Sequence, residues 1–301
     1  MRPRVIGPVL ALLFLTLTRP AVATEADPSD EPPKLLGRCT VAQLDAPPFA
    51  EWYHDGYQDY ASHPAVLRML RTVDRRDVTL QLFFGTWCGD SRREVPRLVK
   101  LLDEMGFPRE QLELVAVDAG EGKQKRSPGG EERGLEIYRV PTLIVRRGEQ
   151  EIGRLVEFPV LSLERDLLAI LIGTPPEPNY RSYPLVRRWR DEGLLDDENV
   201  SPWGLANDLR NLVASESELA AAADVLLDRG DVRAAVKLMQ INCALYRESS
   251  RCSARLAEGL LRAGDAESAK EAAERALRLN TSPDRVQDLV ALLGRCTQPA
   301  E

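Results

Sequence analysis

Hydrophobic residues in the first half of the chain change from strand-like to helical spacing. A β-rich run, Val78–Phe84, ends at Gly85, and an amphipathic stripe, Val95–Met105, follows it and ends at Gly106. A continuous apolar run bounded by glycine is typical of a buried strand, and apolar residues three and four apart are typical of a helix. The pattern therefore predicts a strand that passes directly into a helix.

The other elements of this half alternate in the same way. An aromatic stripe from Phe49 to Tyr57, which we expect in the core, and the segment Val66–Val73 predict two helices before the strand. Five further elements are predicted after it, in the order strand, short helix, strand, hairpin strand and final helix: Leu112–Val117, Glu131–Tyr138, Thr142–Arg146, Gln150–Val156 and Leu161–Ile172. Alternating elements require a sheet covered by helices, so we predict an α/β domain over 35–174.

Beyond Gly173 the pattern contains helices and no strand. Three prolines between 175 and 178 predict a stiff linker over 175–204, in which Tyr183–Trp203 is charged and irregular and receives no element. From 205 to 298 the chain is rich in alanine and leucine at helical spacing. We therefore predict a second, all-α domain there.

An internal repeat organises this all-α domain. The run Leu226–Asp231 returns as Leu260–Asp265 at an offset of 34 residues, which is the period of tetratricopeptide helix pairs. Small residues recur at equivalent positions, where paired helices must approach closely: Ala223 and Ala257 in the first helix, Ala235 and Ala269 in the second. The alternative is a generic bundle of helical hairpins.

Composition narrows the class of protein. Hydrophobic residues make up 44% and charged residues 29% of the 301 positions, which fits two globular domains and excludes disorder, collagen and multi-span membrane proteins. The net charge is −7 without a strongly basic block, so we expect no nucleic-acid partner. The two histidines, His54 and His63, lie beside no cysteine pair, so we expect no structural zinc site. We also expect no other metal and no cofactor.

The N-terminus predicts export. Two arginines precede an apolar run, Val5–Leu17, and Ala21–Ala23 supplies the small residues that signal peptidases recognise. This run is shorter than the ~20 residues that a membrane-spanning helix needs. We expect a signal peptide over 1–23, a flexible lead-in over 24–34, no membrane span after cleavage, and a periplasmic or extracellular location.

All five cysteines follow the predicted cleavage point and would enter an oxidising compartment. An odd number leaves at least one thiol free or paired with another molecule. Cys243 and Cys252 flank the turn between the two repeat units, and we predict a structural disulfide between them. Cys296 then has no predicted disulfide partner.

Candidate chemistry centres on Cys88, in a segment where a strand passes to a helix. A sulfur at a helix start faces unpaired backbone N–H groups and the positive end of the helix dipole, which favour the reactive thiolate. Arg92 and Arg93 add favourable charge and Asp90 opposes them, so the sequence leaves their net effect open. A buried, inert cysteine is the alternative.

The order of motifs around Cys88 resembles the thioredoxin superfamily. It comprises the strand, Trp-Cys-Gly at the helix start, Pro96 eight residues past the cysteine, and Val140–Thr142 before a strand. More closely, Gly85–Ser91 and Arg139–Thr142 look like exported bacterial thioredoxin-like proteins that carry C-G-D-S in place of C-G-P-C. Thioredoxins fused to tetratricopeptide-like helices are also known, so both halves of the chain fit one resemblance.

This resemblance implies a thioredoxin-like mixed sheet covered by helices, followed by a tetratricopeptide-like helical domain. It also implies that Pro141 is cis and lies against Cys88. Cysteine-containing proteins or peptides would then dock over Trp87, Gly89, Val140 and Pro141, with the peptide backbone pairing beside Val140.

Two departures from the family bear on the chemistry. Ser91 replaces the second catalytic cysteine, and Leu82 replaces the buried acid six residues before the nucleophile. A serine hydroxyl can hydrogen-bond the Cys88 thiolate, but it cannot attack a mixed disulfide. Cys39, on a segment ahead of the fold that is long enough to swing, is a candidate resolving thiol; a structural disulfide partner and an unpaired bystander are its other interpretations.

We therefore expect an exported thiol–disulfide exchange protein with Cys88 as its nucleophile and a repeat domain that selects a protein partner. A non-enzymatic peptide-binding adaptor or holdase on the same scaffold is the alternative, motivated by Ser91 and Leu82. The glycine-rich segment Gly120–Gly130 lacks the spacing of a phosphate-binding loop. We predict a flexible surface loop there. The resemblance implies that it lies near the active edge, where it would shape access to Cys88.

Overall fold

Five strands form one mixed sheet in the computed structural model, which describes residues 33–120 and 122–297. The sheet order is β1-β3-β2-β4-β5; β2 and β3 run parallel, and the other neighbours are antiparallel. The strands are β1 Gly37–Cys39, β2 Val78–Phe84, β3 Leu112–Ala116, β4 Thr142–Arg147 and β5 Gln150–Val156. This architecture is α/β and compatible with a thioredoxin fold. The predicted signal peptide and most of the lead-in lie outside the described residues.

Twelve helices accompany the sheet in the described part of the chain. We call residues 33–174 the sheet half and 175–297 the helical half. The sheet half contains α1 Val41–Leu44, α2 Ala50–Asp59, α3 Pro64–Thr72, α4 Gly89–Glu104 and α5 Leu163–Leu171. The helical half contains α6 Ser182–Asp191, α7 Pro202–Leu209, α8 Glu216–Arg229, α9 Val232–Leu245, α10 Ser250–Arg262, α11 Ala266–Leu279 and α12 Val286–Cys296. None of these twelve is long and apolar enough to cross a membrane.

One predicted helix of the sheet half is wrong. Residues 131–136 form turns instead, and 137–138 have no regular secondary structure. Gly134 and Glu136 adopt left-handed backbone angles, with φ of 73° and 56°, in the middle of the segment. A right-handed helix cannot run through such residues, so the chain turns back towards β4.

The short edge strand β1 carries Cys39 and was not predicted. Cys39 lies opposite Leu114 of β3 in an antiparallel ladder. The expectation of a free segment ahead of the fold is therefore wrong, because this cysteine is part of the sheet. Three residues carry too little pattern to predict a strand, and only pairing with a strand some 75 residues away defines it.

The two faces of the sheet are covered differently. On one face, Leu80, Leu82 and Phe84 of β2 pack with α2 to α5 in the largest core of this half. On the other face, Phe83 packs with Val115, Val117 and Ile137 in a smaller cluster. This alternation follows from the two-residue period of a strand and gives the Cys88 site a different environment from the main core.

The 34-residue period is present in the three-dimensional structure. Helices α10 and α11 begin 34 residues after α8 and α9. Gly230 ends α8 and Gly264 follows the end of α10. Their φ angles are 91° and 81°, a backbone conformation that glycine adopts without strain. The four repeated alanines are at most 1% exposed, as expected for closely packed helices: Ala223, Ala235, Ala257 and Ala269.

Helix α6 lies in the linker before residue 204, for which the sequence predicted no element. Its Trp189 and Val186 are buried in the core of the helical half, and Tyr138 of the sheet half belongs to the same core. The described residues from 33 onwards form one compact unit. The sheet half and the helical half are therefore joined by packing as well as by the chain.

Candidate active site

Cys88 lies at the junction between β2 and α4. After Phe84 the chain makes a turn in which the Cys88 N–H donates to the Gly85 carbonyl at 3.0 Å. Cys88 then has extended backbone angles as the N-cap of α4, and its carbonyl accepts the first helical hydrogen bond, from Arg92 N–H at 3.0 Å. The predicted strand-to-helix position is confirmed, and it places the sulfur at the positive end of a 16-residue helix.

Gly85 allows this turn to close under Trp87. A Cβ at Gly85 would lie only 2.4 Å from the indole Cε2 of Trp87, so a larger residue would displace the ring. The indole Nε1–H donates to the Val117 carbonyl at the end of β3, at 2.8 Å. Gly89, on the other side of Cys88, is exposed, and a Cβ there would meet nothing within 4 Å. The site is thus walled on the Trp87 side and open on the Gly89 side.

The sulfur of Cys88 contacts the backbone next to Pro141. Its thiol donates to the Val140 carbonyl at 3.3 Å, and the Val140–Pro141 peptide bond is cis. Both features agree with the expectation that the resemblance gave for Pro141. Cys88 is half-buried, whereas the Val140 and Pro141 residues are buried. An incoming molecule therefore meets Cys88 and Gly89 before it meets Pro141.

Ser91 faces inward from the first turn of α4. It is fully buried, and its Oγ accepts the Gly85 N–H at 3.2 Å. This hydroxyl therefore holds the turn before Cys88. Leu82, at the position of the missing acid, lines an apolar pocket together with Pro141 and Glu94. The Glu94 carboxylate is held there by Arg93, whose Nε donates to it at 2.7 Å.

Cys39 and Cys88 lie in different environments. Cys39 packs against the main core on one sheet face, and Cys88 against the small cluster on the other. The Cys39 thiol contacts the Leu114 carbonyl at 3.8 Å within the sheet. Burial raises the pKa of Cys39 to about 12. A thiol with that pKa has little thiolate near neutral pH, so the structure gives no support to a resolving role.

The arginines near Cys88 are bound to other groups. Arg93 forms ion pairs with Asp90 at 2.9 Å and with Glu94 at 2.7 Å. Arg92 donates through Nε to the Thr86 carbonyl at 2.7 Å. The charges that the sequence suggested as thiolate partners thus have partners of their own.

Sequence reasoning missed Lys125, from the glycine-rich segment after β3. Its Nζ lies over the Trp87 ring, 4.9 Å from the centroid, in a cation–π contact. Burial lowers the pKa of Lys125, and the charge of Cys88 is the largest influence in the opposite direction. The only signal in the sequence was the position of the loop, which follows a strand that ends beside Cys88.

The loop that carries Lys125 is anchored at both of its sides. Lys125 N–H and Asp118 carbonyl pair at 2.9 Å, and Asp118 N–H and Arg126 carbonyl pair at the same distance. The loop also contacts α8: Gln124 N–H donates to Asp228 Oδ2 at 3.0 Å, and Arg126 Nη1 donates to the Asp228 carbonyl at 3.2 Å. The predicted surface loop is therefore held between the two halves of the molecule, next to the site.

Cys243 and Cys252, the helical thiol pair, lie on α9 and α10 and contact each other. Both are free thiols in the structure. The hydrogen bond from Cys243 lowers the pKa of Cys252, whose Sγ is also 3.5 Å from Glu216 Oε2. The structure thus brings the predicted partners together, and the disulfide stays a prediction.

Comparison with protein-family models, curated proteins and solved structures found no match for this chain.

Proposed function

We propose that this chain is an exported thiol–disulfide exchange protein with one nucleophile, Cys88, on a thioredoxin-type sheet half. The helical half, with its tetratricopeptide-like pairs, would select the protein partner. The observation that carries the proposal is the half-buried Cys88 at the N-terminus of α4, whose Sγ lies 3.3 Å from the carbonyl before the cis bond to Pro141. Export rests on the N-terminal sequence pattern alone.

The first chemical step is attack on a disulfide. The Cys88 thiolate attacks one sulfur of a substrate disulfide, the substrate S–S bond breaks, and the other substrate sulfur leaves as a thiolate that takes up a proton. The product is a mixed disulfide between Cys88 and the substrate. No net oxidation occurs in this step, because one S–S bond replaces another.

Loss of the Cys88 proton also prepares the backbone for a substrate. In the thiol form, the Cys88 S–H donates a hydrogen bond to the Val140 carbonyl oxygen, at 3.3 Å. The thiolate has no proton to donate, so this carbonyl becomes an acceptor for an N–H of an extended peptide. Activation of the sulfur and binding of the substrate backbone are thus coupled through one oxygen.

Completion of the reaction requires a second thiol. Ser91 carries no sulfur, and Cys39 is bound into the sheet on the other face. We therefore propose that a small thiol or a reductase attacks the mixed disulfide from solvent, through the open side at Gly89.

A binding role without chemistry is the second candidate. Ser91 holds the turn through Gly85, and Leu82 contributes to an apolar pocket beside Pro141, so both departures from a dithiol enzyme have structural tasks. The exposed Phe158, Val160 and Leu161, in the segment after β5, add apolar surface for a peptide. On this alternative Cys88 would be an ordinary thiol.

One experiment separates the two candidates. The mature protein and its Cys88→Ser variant are titrated with an alkylating reagent against pH, and uptake at Cys88 is measured by peptide mass spectrometry. We expect uptake below about pH 7, which marks a thiolate favoured relative to an ordinary cysteine, and its loss in the variant. A midpoint at the alkaline value of an unperturbed cysteine would refute exchange chemistry and favour the binding role. Cys39→Ser is the matched control and should leave the Cys88 profile unchanged.

A further inference from the structure

One positive charge beside Trp87 comes from outside the α4 helix. Lys125 is half-buried, and its ammonium lies 4.9 Å from the centre of the ring of Trp87, the residue before Cys88. Removing an ammonium group from water costs free energy, which explains why burial lowers the pKa of Lys125. A lysine held in this position therefore needs compensation from negative charge.

The groups around Lys125 show where that compensation originates. Cys88 is the strongest of the groups that favour the charged lysine, followed by Asp224 of α8 and Glu157 after β5, and Arg139 opposes them. Asp224 is itself paired with Arg255, and Glu157 with Arg139 at 3.0 Å. Of these three negative groups, the Cys88 thiolate is the one whose charge has no arginine partner in the described structure.

Three arginines of the site already have hydrogen-bond or ion-pair partners. Arg93 is paired with Asp90 and Glu94, and Arg92 is bound to a carbonyl. Arg139 donates to Glu157, to Tyr183 Oη and to the Ser217 carbonyl. In the described structure the Lys125 ammonium donates to one neutral acceptor, Gln124 Oε1, at 3.2 Å. Its charge is therefore available to a thiolate.

We propose that Lys125 is the cation that stabilises the Cys88 thiolate, and that Asp228 of α8 is a positioning residue that holds the loop carrying it. This inference rests on the proposed exchange function. Asp228 accepts from Gln124 N–H with one carboxylate oxygen, at 3.0 Å, and from Arg262 Nη1 with the other, also at 3.0 Å. The helical half thus contributes to the reactivity of a sulfur that it does not itself carry.

The test compares the pH profile of Cys88 alkylation in four full-length mature variants, three at Lys125 and Lys123 and one at Asp228. Lys125→Met keeps the length and apolar body of the side chain and removes the charge. Lys125→Arg keeps the charge. Lys123→Met is the matched control, because it removes an exposed lysine of the same loop.

We expect Lys125→Met to raise the midpoint of the Cys88 profile by about one pH unit, which corresponds to about tenfold less thiolate at neutral pH. Lys125→Arg should restore most of this change, and Lys123→Met should match the wild type. Asp228→Asn should move the midpoint in the same direction by a smaller amount. If Lys125→Met does not fold, Asp228→Asn decides the question, because this variant alters the position of the lysine without replacing it.

Two results would overturn the inference, and they are distinguishable. If the wild-type Cys88 reacts below about pH 7 and Lys125→Met gives the same profile, then the lysine has no role and the exchange function stands. If the wild-type Cys88 shows only the profile of an unperturbed thiol, then the exchange function fails and the inference fails with it.

Discussion

Replacing Ser91 by cysteine tests the reason why the proposed chemistry stops at a mixed disulfide. Ser91 is the third residue of α4 and follows Cys88 by three positions, a spacing that makes side chains neighbours at a helix surface. A thiol at this position would therefore lie within reach of Cys88. It could attack the Cys88–substrate disulfide, release the substrate as a thiol and leave a disulfide between positions 88 and 91.

The expected change in lifetime follows from intramolecular attack. A well-oriented neighbouring group acts at an effective concentration far above the ~1 mM of an external thiol, so the mixed disulfide should disappear at least about a hundredfold faster in Ser91→Cys. The assay mixes the reduced protein with a disulfide-containing peptide, quenches with acid at intervals and measures the mixed disulfide by intact mass. A lifetime equal to that of the wild type would refute the assignment of position 91 as the missing resolving position.

The same substitution should also destabilise the reduced protein. Ser91 is fully buried and its Oγ accepts the Gly85 N–H at 3.2 Å. A buried donor left without a partner costs about 1–3 kcal/mol, and sulfur is only a weak acceptor. Ser91→Ala is the matched control, because it loses the same hydrogen bond without adding a thiol. We expect it to lower the free energy of unfolding by this amount and to leave the mixed-disulfide lifetime unchanged.

Three further predictions concern the packing, pH dependence and covalent state of the fold. Ala269→Leu should lower the free energy of unfolding by about 1–3 kcal/mol in chemical denaturation, because this residue is fully buried between paired helices, whereas Leu at the exposed Ala266 should change it little. Burial alone would raise the pKa of Glu151, but hydrogen bonds from Arg154 outweigh it and lower the pKa from its usual 4.5. The stabilisation that ionised Glu151 provides is therefore complete above about pH 4.5 and is lost as the pH falls. The difference in the free energy of unfolding between the wild type and Glu151→Gln should shrink on acidification, as measured by denaturation at several pH values. The helical thiol pair should appear as a disulfide in the mass of the unreduced exported protein, and its reduction should lower the free energy of unfolding by roughly 2.5–3 kcal/mol; an unreduced mass that corresponds to five thiols would contradict this prediction.

Elements with strong local patterns were predictable from the sequence. Strands β2 and β5 begin and end at the predicted residues, because each is bounded by turn residues and carries a continuous or alternating pattern. The helix pairs follow their predicted period, because Gly230 and Gly264 fix the turns. The strand-to-helix position of Cys88 was predictable for the same reason.

Features that depend on distant contacts were not predictable. Strand β1 exists through pairing with β3, and the turns over 131–136 depend on left-handed angles at residues that include Glu136, which has no glycine-like preference. Lys125 reaches Trp87 because its loop is bound to Asp118 on one side and to α8 on the other. No spacing along the chain encodes that approach, since a lone lysine in a polar loop is ordinarily a solvated charge.

These contacts make the site a property of both halves. The Gln124 N–H has its acceptor on Asp228, and Arg139 next to Val140 donates to the Ser217 carbonyl. Without α8, both donors would lose these acceptors, and the loop that carries Lys125 would keep only its bonds to Asp118. The isolated sheet half would therefore retain the Cys88 turn, which depends on Gly85 and Ser91, and the position of Lys125 would depend on Asp118 alone. The reactivity of Cys88 has to be measured in the full-length mature chain for this reason.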